Sequence, residues 1–322
     1  MTTKETVLNL LEKRSGEALS GQALADEINV SRAAVWKAIK ELQTAGYPIS
    51  ASTNKGYTLS EKSDILSVKS VAASLKTGGE LEVLDVVDST NNRAKQLAAA
   101  GAPNGTLVVA NQQTGGRGRR GRCFASPAGT GLYLSLIIRT PLSMECVATL
   151  TSAAAVAVCR ALDRLCDKHL QIKWVNDIFK NGKKCCGILS EAEADFETGG
   201  VSYAVVGIGL NIHEPKDGFP DEIKDIAGAI FDDEEFVPRS VLAAEIANEL
   251  FAFANALPEM PFMDEYRQRS CVVGKNINII QNANVRRAKA VAITDNGHLQ
   301  VTLEDGTPEE LSFGEISIRV TD

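Results

Sequence analysis

Apolar positions recur at helical spacing through the first part of the chain. Val7, Leu8, Leu10 and Leu11 share one face of a short helix. After Ser20, the segment GQALADEINV places Leu24 and Ile28 four apart. In SRAAVWKAIKEL, Val35, Ile39 and Leu42 line one face behind Ser31, whose hydroxyl suits an N-cap. Two short helices joined by a tight turn form a helix-turn-helix pattern. Tyr47-Pro48-Ile49-Ser50 and Tyr57-Thr58-Leu59 then flank the turn residues Thr53-Asn54-Lys55-Gly56, which predicts a hairpin.

The pattern changes after residue 64. Residues 65–270 alternate apolar strand-like runs (81–87, 107–110, 132–138 and 205–210) with helix-like runs at 149–165 and 240–257, the latter stopped by Pro258. That alternation predicts a mixed α/β layer. Residues 271–322 hold short strands at 277–280, 288–293, 299–303, 310–313 and 316–320, with Asn296-Gly297 and Asp305-Gly306 as hairpin turns. Five strands in so short a segment suggest a small β-barrel. The expectation is an α+β multidomain chain divided at 1–64, 65–270 and 271–322, its first part a helix-turn-helix with a hairpin wing, the winged-helix arrangement.

Composition narrows the class. With 44% hydrophobic and 23% charged residues, the 322-residue chain is ordinary globular material of two or three domains. The most apolar stretch, 147–159, carries Thr149, Thr151 and Ser152 and reads as too short and too polar to span a bilayer. The charged N-terminus has no signal-peptide core. Seven cysteines without a CxxC pair, and three scattered histidines, argue against a disulfide framework or a zinc site. The expected setting is a reducing cytoplasm, away from membranes.

Charge is unevenly spread. The chain carries −7 overall, yet residues 89–144 contain no Asp or Glu while Arg93, Lys95, Arg117, Arg119, Arg120, Arg122 and Arg139 supply +7. A local positive field on an acidic protein suits a small anionic ligand better than a long polyanion. Residues 1–64 are neutral as a whole. Within 30–57, however, Arg32, Lys37, Lys40 and Lys55 face only Glu41, on the recognition helix and wing where DNA phosphates would be met. With Ser31, Ala33 and Trp36 on the same helix they form the candidate DNA-binding set; a winged helix used only for protein contact is the alternative.

Gly116-Arg117-Gly118-Arg119-Arg120-Gly121 matches GxGxxG, but the dinucleotide fingerprint needs a helix directly afterwards. CFASPAGTGLYLSLII follows instead, and Pro127, Gly129 and Gly131 forbid that helix. No GxxxxGK[ST] is present either. What remains is a glycine-rich loop studded with guanidiniums, which offer bidentate forks to phosphate. An RGG-like nucleic-acid segment is disfavoured because the loop is single and lies between strands.

Five motifs in fixed order carry a resemblance. Asp88-Ser89-Thr90-Asn91; Gln113 with GRGRRGR (116–122) and Ser126-Pro127; KWVND (173–177); Lys184 ahead of Gly187-Ile188-Leu189; and GIGLN (207–211) are similar to the biotin protein ligases. With the winged helix, the chain resembles, end to end, those members that double as biotin operon repressors. The resemblance implies a central class II synthetase-like ligase domain with a mixed sheet, and a final Src-homology-like barrel. It implies that biotin and ATP-Mg²⁺ give biotinyl-5′-AMP, both intermediate and corepressor. A lysine of a biotin carboxyl carrier protein then takes the biotin. Operator DNA and a ligand-induced homodimer are the further partners implied.

The resemblance also assigns roles. Ser89, Thr90, Asn91 and Gln113 match the polar set around the biotin head; Gly116, Arg117 and Arg119 match the loop that covers biotin and the adenylate phosphate. Arg120 and Arg122 would meet ATP phosphates. Lys184 would touch both the biotin carboxylate and the α-phosphate. Asn176 and Asp177 resemble the nucleotide and magnesium pair, with Asp177 aiding deprotonation of the amine. Gly187, Gly207 and Gly209 would let backbone approach biotin, while Asn211 and Phe124 would contact the nucleotide. Lys184, Arg119 and Asp177 form the catalytic set; no resident metal site is implied.

Bland readings stand beside these. Ser89 and Thr90 suit the cap of a helix starting near Asn91, Asn176-Asp177 suit a turn, and Lys184 suits an exposed NGKK. Trp174 reads as core or pocket wall. Phe124 replaces a frequent Trp, Val175 the usual Pro, and Cys185-Cys186 residues usually apolar. A lipoate or octanoate ligase, or a repressor with an inactive catalytic domain, is the competing function.

Overall fold

A computed structural model describes the chain except residues 1, 45–46, 53–54, 61–63, 140–142, 196–199, 233–234, 282–283, 313–315 and 322. Two compact units emerge: Met1–Ile65 with Pro238–Ser240, and the remainder of the chain.

In the first unit, α1 (Thr3–Lys13), α2 (Gly21–Glu27) and α3 (Arg32–Thr44) precede the antiparallel pair β1 (Ile49–Ser52) and β2 (Gly56–Leu59). Each helix start is satisfied locally. Thr2 and Glu5 form a reciprocal capping box, Ser20 accepts from the Ala23 amide, and Ser31 accepts from the Ala34 amide at 3.2 Å. Val7, Leu11, Leu24, Val35, Ile39, Leu42, Ile49 and Leu59 close one small core. Leu8 and Leu10 are only partly buried at its rim. Thr53 and Asn54 of the expected turn lie outside the described residues.

The second unit opens with α4 (Val68–Ala72), β3 (Leu81–Val87), α5 (Thr90–Ala99), β4 (Leu107–Gln113) and β5 (Gly131–Ile138). It continues through α6 (Met144–Cys166), β6 (Gln171–Lys173), β7 (Asp177–Lys180), β8 (Lys183–Ala194) and β9 (Val201–Asn211), then α7 (Arg239–Asn255), whose first two residues count with the first unit, and α8 (Met263–Gln268). The strands form a seven-stranded mixed sheet in the order β3-β4-β5-β9-β8-β7-β6, with β3 and β4 parallel and the other pairs antiparallel. Side chains alternate across it. Leu134 and Leu136 face a core shared with α6 and α7, while Ile137 and Val205 face Ala94 and Ala98 of α5.

The sheet is wider than the apolar runs indicated, because β6, β7 and β8 carry Lys173, Lys183, Lys184 and Glu191 among few apolar residues. Helix α6 is also longer than expected. By length and composition Cys146–Cys166 could cross a membrane, but 78% of its apolar window is buried inside the fold.

Strands β10 (Asn276–Gln281), β11 (Asn284–Ile293), β12 (Leu299–Leu303), β13 (Pro308–Leu311) and β14 (Ile316–Val320) make an antiparallel sheet ordered β13-β12-β11-β10-β14. Its buried face, including Ile277, Ile279, Ala290 and Val301, joins the large core of the central sheet. Two buried hydrogen bonds fix the turn between β6 and β7. Trp174 Nε1 donates to the Gly297 carbonyl at 2.9 Å, and the Tyr266 hydroxyl donates to the Val175 carbonyl at 3.0 Å. The turn with Val175 is therefore held from both sides.

Tyr266→Phe should orphan that buried carbonyl and lower unfolding free energy by about 1–3 kcal/mol in urea titration. Unchanged stability would show that the Val175 carbonyl finds another donor.

Candidate active site

The loop and strand ends converge on one cavity of about 510 Å³ in the second unit. Ser89, Thr90 and Asn91 reach it from the junction of β3 and α5, and Gln113 from the end of β4. Arg117, Arg119, Arg120, Arg122 and Phe124 come from the glycine-rich loop. Asn176, Asp177, Lys184 and Gly187 come from β7, β8 and the turn before β7, and Gly207, Gly209 and Asn211 from β9. Of the residues singled out around the ligand, only Gly116 is not on the wall. A Cβ there would meet the Phe124 carbonyl and, at 2.6 Å, Ser126 Oγ, so this glycine lets the loop fold on itself.

The floor is a connected polar network. Gln113 Oε1 accepts from the Thr90 amide at 2.9 Å and its hydroxyl at 3.2 Å, and Gln113 Nε2 donates to Ser126 Oγ at 2.9 Å. Ser135 Oγ lies 2.8 Å from Thr90 Oγ1 and 2.7 Å from Asn91 Oδ1. Ser89 occupies the N-cap position of α5, but its side chain makes no capping hydrogen bond. Position, not capping, is what the hydroxyls contribute. Asn91 Nδ2 donates to the Leu189 carbonyl and to Glu191 Oε2.

The glycines of β8 and β9 have local reasons. A Cβ on Gly207 would fall on the Asn91 amide; one on Gly209 would lie 2.6 Å from the Phe124 ring, and one on Gly187 3.2 Å from it. The Phe124 ring thus sits over bare backbone.

The Gly/Arg loop is folded as a small hairpin. Gly118 N donates to the Arg122 carbonyl, Phe124 N to the Gly116 carbonyl, and Arg120 takes the left-handed conformation at φ 59°. Arg119 Nη1 donates to Asn176 Oδ1 at 3.3 Å, and Arg117 Nη2 to Glu191 Oε2 at 2.6 Å. Arg120 and Arg122 remain exposed at the mouth. Lys184 Nζ lies 2.5 Å from Asp177 Oδ1, so the NGKK lysine is engaged in the site. Asn176 precedes β7 in a turn but is tied to β8 through the Ile188 backbone in both directions. Asn211 Nδ2 donates to the Gly228 carbonyl.

Burial pulls the Arg119 guanidinium and the Lys173 ammonium below their ordinary values, with Asp177 opposing both shifts. Burial raises Glu191, but hydrogen bonds from Lys95 and Asn91 and the Arg117 charge outweigh it and hold the carboxyl low. Cys186 is fully enclosed and its thiol is pushed far up by burial, which makes it packing material. Among the described residues no cluster of three His, Cys, Asp or Glu could hold a metal.

Several wall residues escaped the sequence reading. Lys173 sits in the quoted KWVND and stacks 5.4 Å from the Phe179 ring. Phe219, Ile223 and Ile226 come from a polar-looking stretch, and Arg319 from β14, remote in sequence from every motif. Only the fold could bring these in. In the first unit, Ser31, Arg32, Ala33, Lys37, Lys40 and Lys55 are all exposed, and Trp36 presents an indole 54% exposed.

Three stretches match known families. Residues 83–211 match the biotin/lipoate A/B protein ligase family, 3–58 an HTH domain, and 272–319 the biotin protein ligase C terminal domain. The bifunctional ligase/repressor BirA of Bacillus spizizenii is 42% identical over 71% of this chain and 71% of its own. That of Escherichia coli is 29% identical over 95% and 94%. Among solved structures, the biotin protein ligase from Aquifex aeolicus in complex with biotin and ATP aligns with a TM-score of 0.63 at 26% identity, over 75% of this chain and 99% of that one.

Gly207→Ala should displace the Asn91 amide and lower stability by about 1–3 kcal/mol, as overpacking does. Gly118→Ala, at an ordinary φ of −119° with only a 3.4 Å contact, should leave stability near wild type. Equal effects in denaturant titrations would show that the Gly207–Asn91 contact does not set the tolerance.

Proposed function

The chain belongs to the biotin protein ligase family, and we propose that it joins biotin to ATP and passes biotin to a carrier lysine. It is an ATP-dependent biotin protein ligase joined to a DNA-binding repressor module. The observation that carries the reading is the convergence of five sequence-distant motifs on one cavity lined with cations. We place the domain limits at 1–64, 65–270 and 271–322, a division supported by the family matches over 3–58, 83–211 and 272–319.

The chemistry follows from charge. In the first step a biotin carboxylate oxygen attacks the α-phosphorus of ATP and pyrophosphate leaves. In the second, the carrier amine attacks the anhydride carbonyl and AMP leaves. Both steps concentrate negative charge that fixed cations stabilise without reorganising. Ser89, Thr90, Asn91 and Gln113 form the ordered floor for the ureido head. Lys184 exchanges Asp177 for the biotin carboxylate and α-phosphate, and Arg119 covers the same phosphate from the loop.

Asp177, freed from Lys184, faces the incoming amine. Arg120 and Arg122 take the outer phosphates at the mouth, beside Phe124 and Asn211. Magnesium, which habitually binds phosphates plus one or two carboxylates, fits a wall whose carboxylates among the described residues are Asp177 and Asp225; it neutralises the triphosphate when bound.

Biotinyl-5′-AMP retained under the loop is the corepressor. One recognition helix with Arg32, Lys37 and Lys40, plus Lys55 on the wing, neutralises few phosphates, so operator binding calls for a homodimer favoured by the adenylate. The carrier protein is that of a biotin-dependent carboxylase. The seven cysteines, all free, suit a cytoplasmic setting.

Purified protein with ATP should label the lysine of a biotin carboxyl carrier domain with biotin, and leave a lipoyl carrier domain supplied with lipoate unlabelled. The reverse pattern would assign it to the lipoate branch. Lys184→Ala should slow single-turnover adenylate formation by about 10²-fold or more, as loss of an oxyanion donor does. An unchanged rate would remove Lys184 from the chemistry. Deleting residues 1–60, which keeps Asp64 as the partner of buried Arg239, should abolish DNA binding and preserve ligation. Loss of ligation in a folded truncation would place the wing in the catalytic cycle.

A further inference from the structure

Glu191 lies on β8, outside every motif singled out in the sequence and off the cavity wall. Three groups converge on its carboxylate. Lys95 of α5 holds Oε1 at 2.9 Å, while Oε2 accepts from Arg117 Nη2 at 2.6 Å and from Asn91 Nδ2 at 2.9 Å. The two residues sharing Oε2 belong to different parts of the site. Arg117 is on the loop that closes the cavity; Asn91 is on the floor, bonded to Ser135 and packed against Gly207. The carboxylate side chain is 25% exposed and Arg117 37%, so the contact is reachable by water yet not fully solvated.

The Arg119–Asn176 bond is 3.3 Å long and its acceptor is neutral, whereas Arg117–Glu191 is short and doubly charged. Lys95 fixes the carboxylate so that the same oxygen faces both Asn91 and Arg117.

We propose that Glu191 is a positioning residue for the ligase reaction, latching the Gly/Arg loop to the floor of the cavity through Arg117 and Asn91. The inference rests on the ligase reading and deepens it. Glu191 touches no reacting atom; it sets how long the loop stays down over the adenylate. Its loss should therefore speed escape of the intermediate and raise the KM for biotin while leaving the chemical step alone.

The test uses the full chain and biotinyl-5′-AMP made in place from biotin and ATP-Mg²⁺. Glu191→Gln keeps an oxygen for Asn91 but removes the charge that holds Arg117. It should raise the adenylate dissociation rate about tenfold, the low end for a charge-assisted bond that is partly solvent-screened. Single-turnover adenylation at saturating biotin should stay within about twofold, since no catalytic donor is lost. Arg117→Ala should speed release similarly, and the double variant no further, because both remove one interaction.

Potassium chloride should accelerate release from the wild type more steeply than from Glu191→Gln, which keeps only the salt response of the phosphate contacts made by Lys184 and Arg119. A merely structural Glu191 would give multiplying effects and no change in salt response. Either that result or an unaltered release rate overturns the latch. Should Glu191→Gln melt below the assay temperature, Lys95→Gln serves, with release raised about threefold by the loosened carboxylate; an unchanged rate overturns the proposal. If the wild type forms no biotinyl-5′-AMP, the ligase reading falls and the latch with it.

Discussion

Unbalanced charge around one cavity is the constraint on which the site depends. Among the described residues seven cations line it, four from the loop together with Lys173, Lys184 and Arg319, against the two carboxylates Asp177 and Asp225. Like charges so gathered repel, and burial already lowers the proton affinity of Arg119 and Lys173. Such a cluster persists because Asp177 pairs Lys184, Asn176 takes Arg119 and Glu191 takes Arg117. A ligand bringing a triphosphate and a carboxylate supplies the anions that the protein itself withholds.

The backbone is arranged to make that gathering possible. Missing side chains at Gly207 and Gly209 admit the Asn91 amide and the Phe124 ring to the strand surface. Arg120 in the left-handed region turns the loop so that Arg119 points inward while Arg120 and Arg122 stay at the mouth. The rigid parts, β9 and the floor network of Thr90, Gln113 and Ser135, are buried in or against the sheet. Precision therefore comes from strands, and coverage from the loop.

Much of this was legible in the sequence for physical reasons. The acid-free window marked the cationic site, and five ordered motifs marked its walls. Strong periodicity marked α3 and α6, although α6 extends beyond the most apolar run. Strand β8 was not legible, because Lys183, Lys184, Ser190 and Glu191 interrupt its apolar pattern, and pairing with β9 on one side and β7 on the other makes it a strand. Arg319 and Ile226 were hidden for another reason: nothing local links them to the motifs, and only packing in the second unit brings them to the cavity. Ser89 shows the converse, a residue whose position at a helix start was readable while its lack of a capping bond was not.

The central claim is that this charge-focused cavity activates the biotin carboxylate at the α-phosphorus of ATP. Isotope exchange between labelled pyrophosphate and ATP reads that step directly, without a carrier protein or DNA. Exchange should require biotin and be negligible with lipoate in its place. Exchange that proceeds without biotin, or equally well with lipoate, would contradict the account.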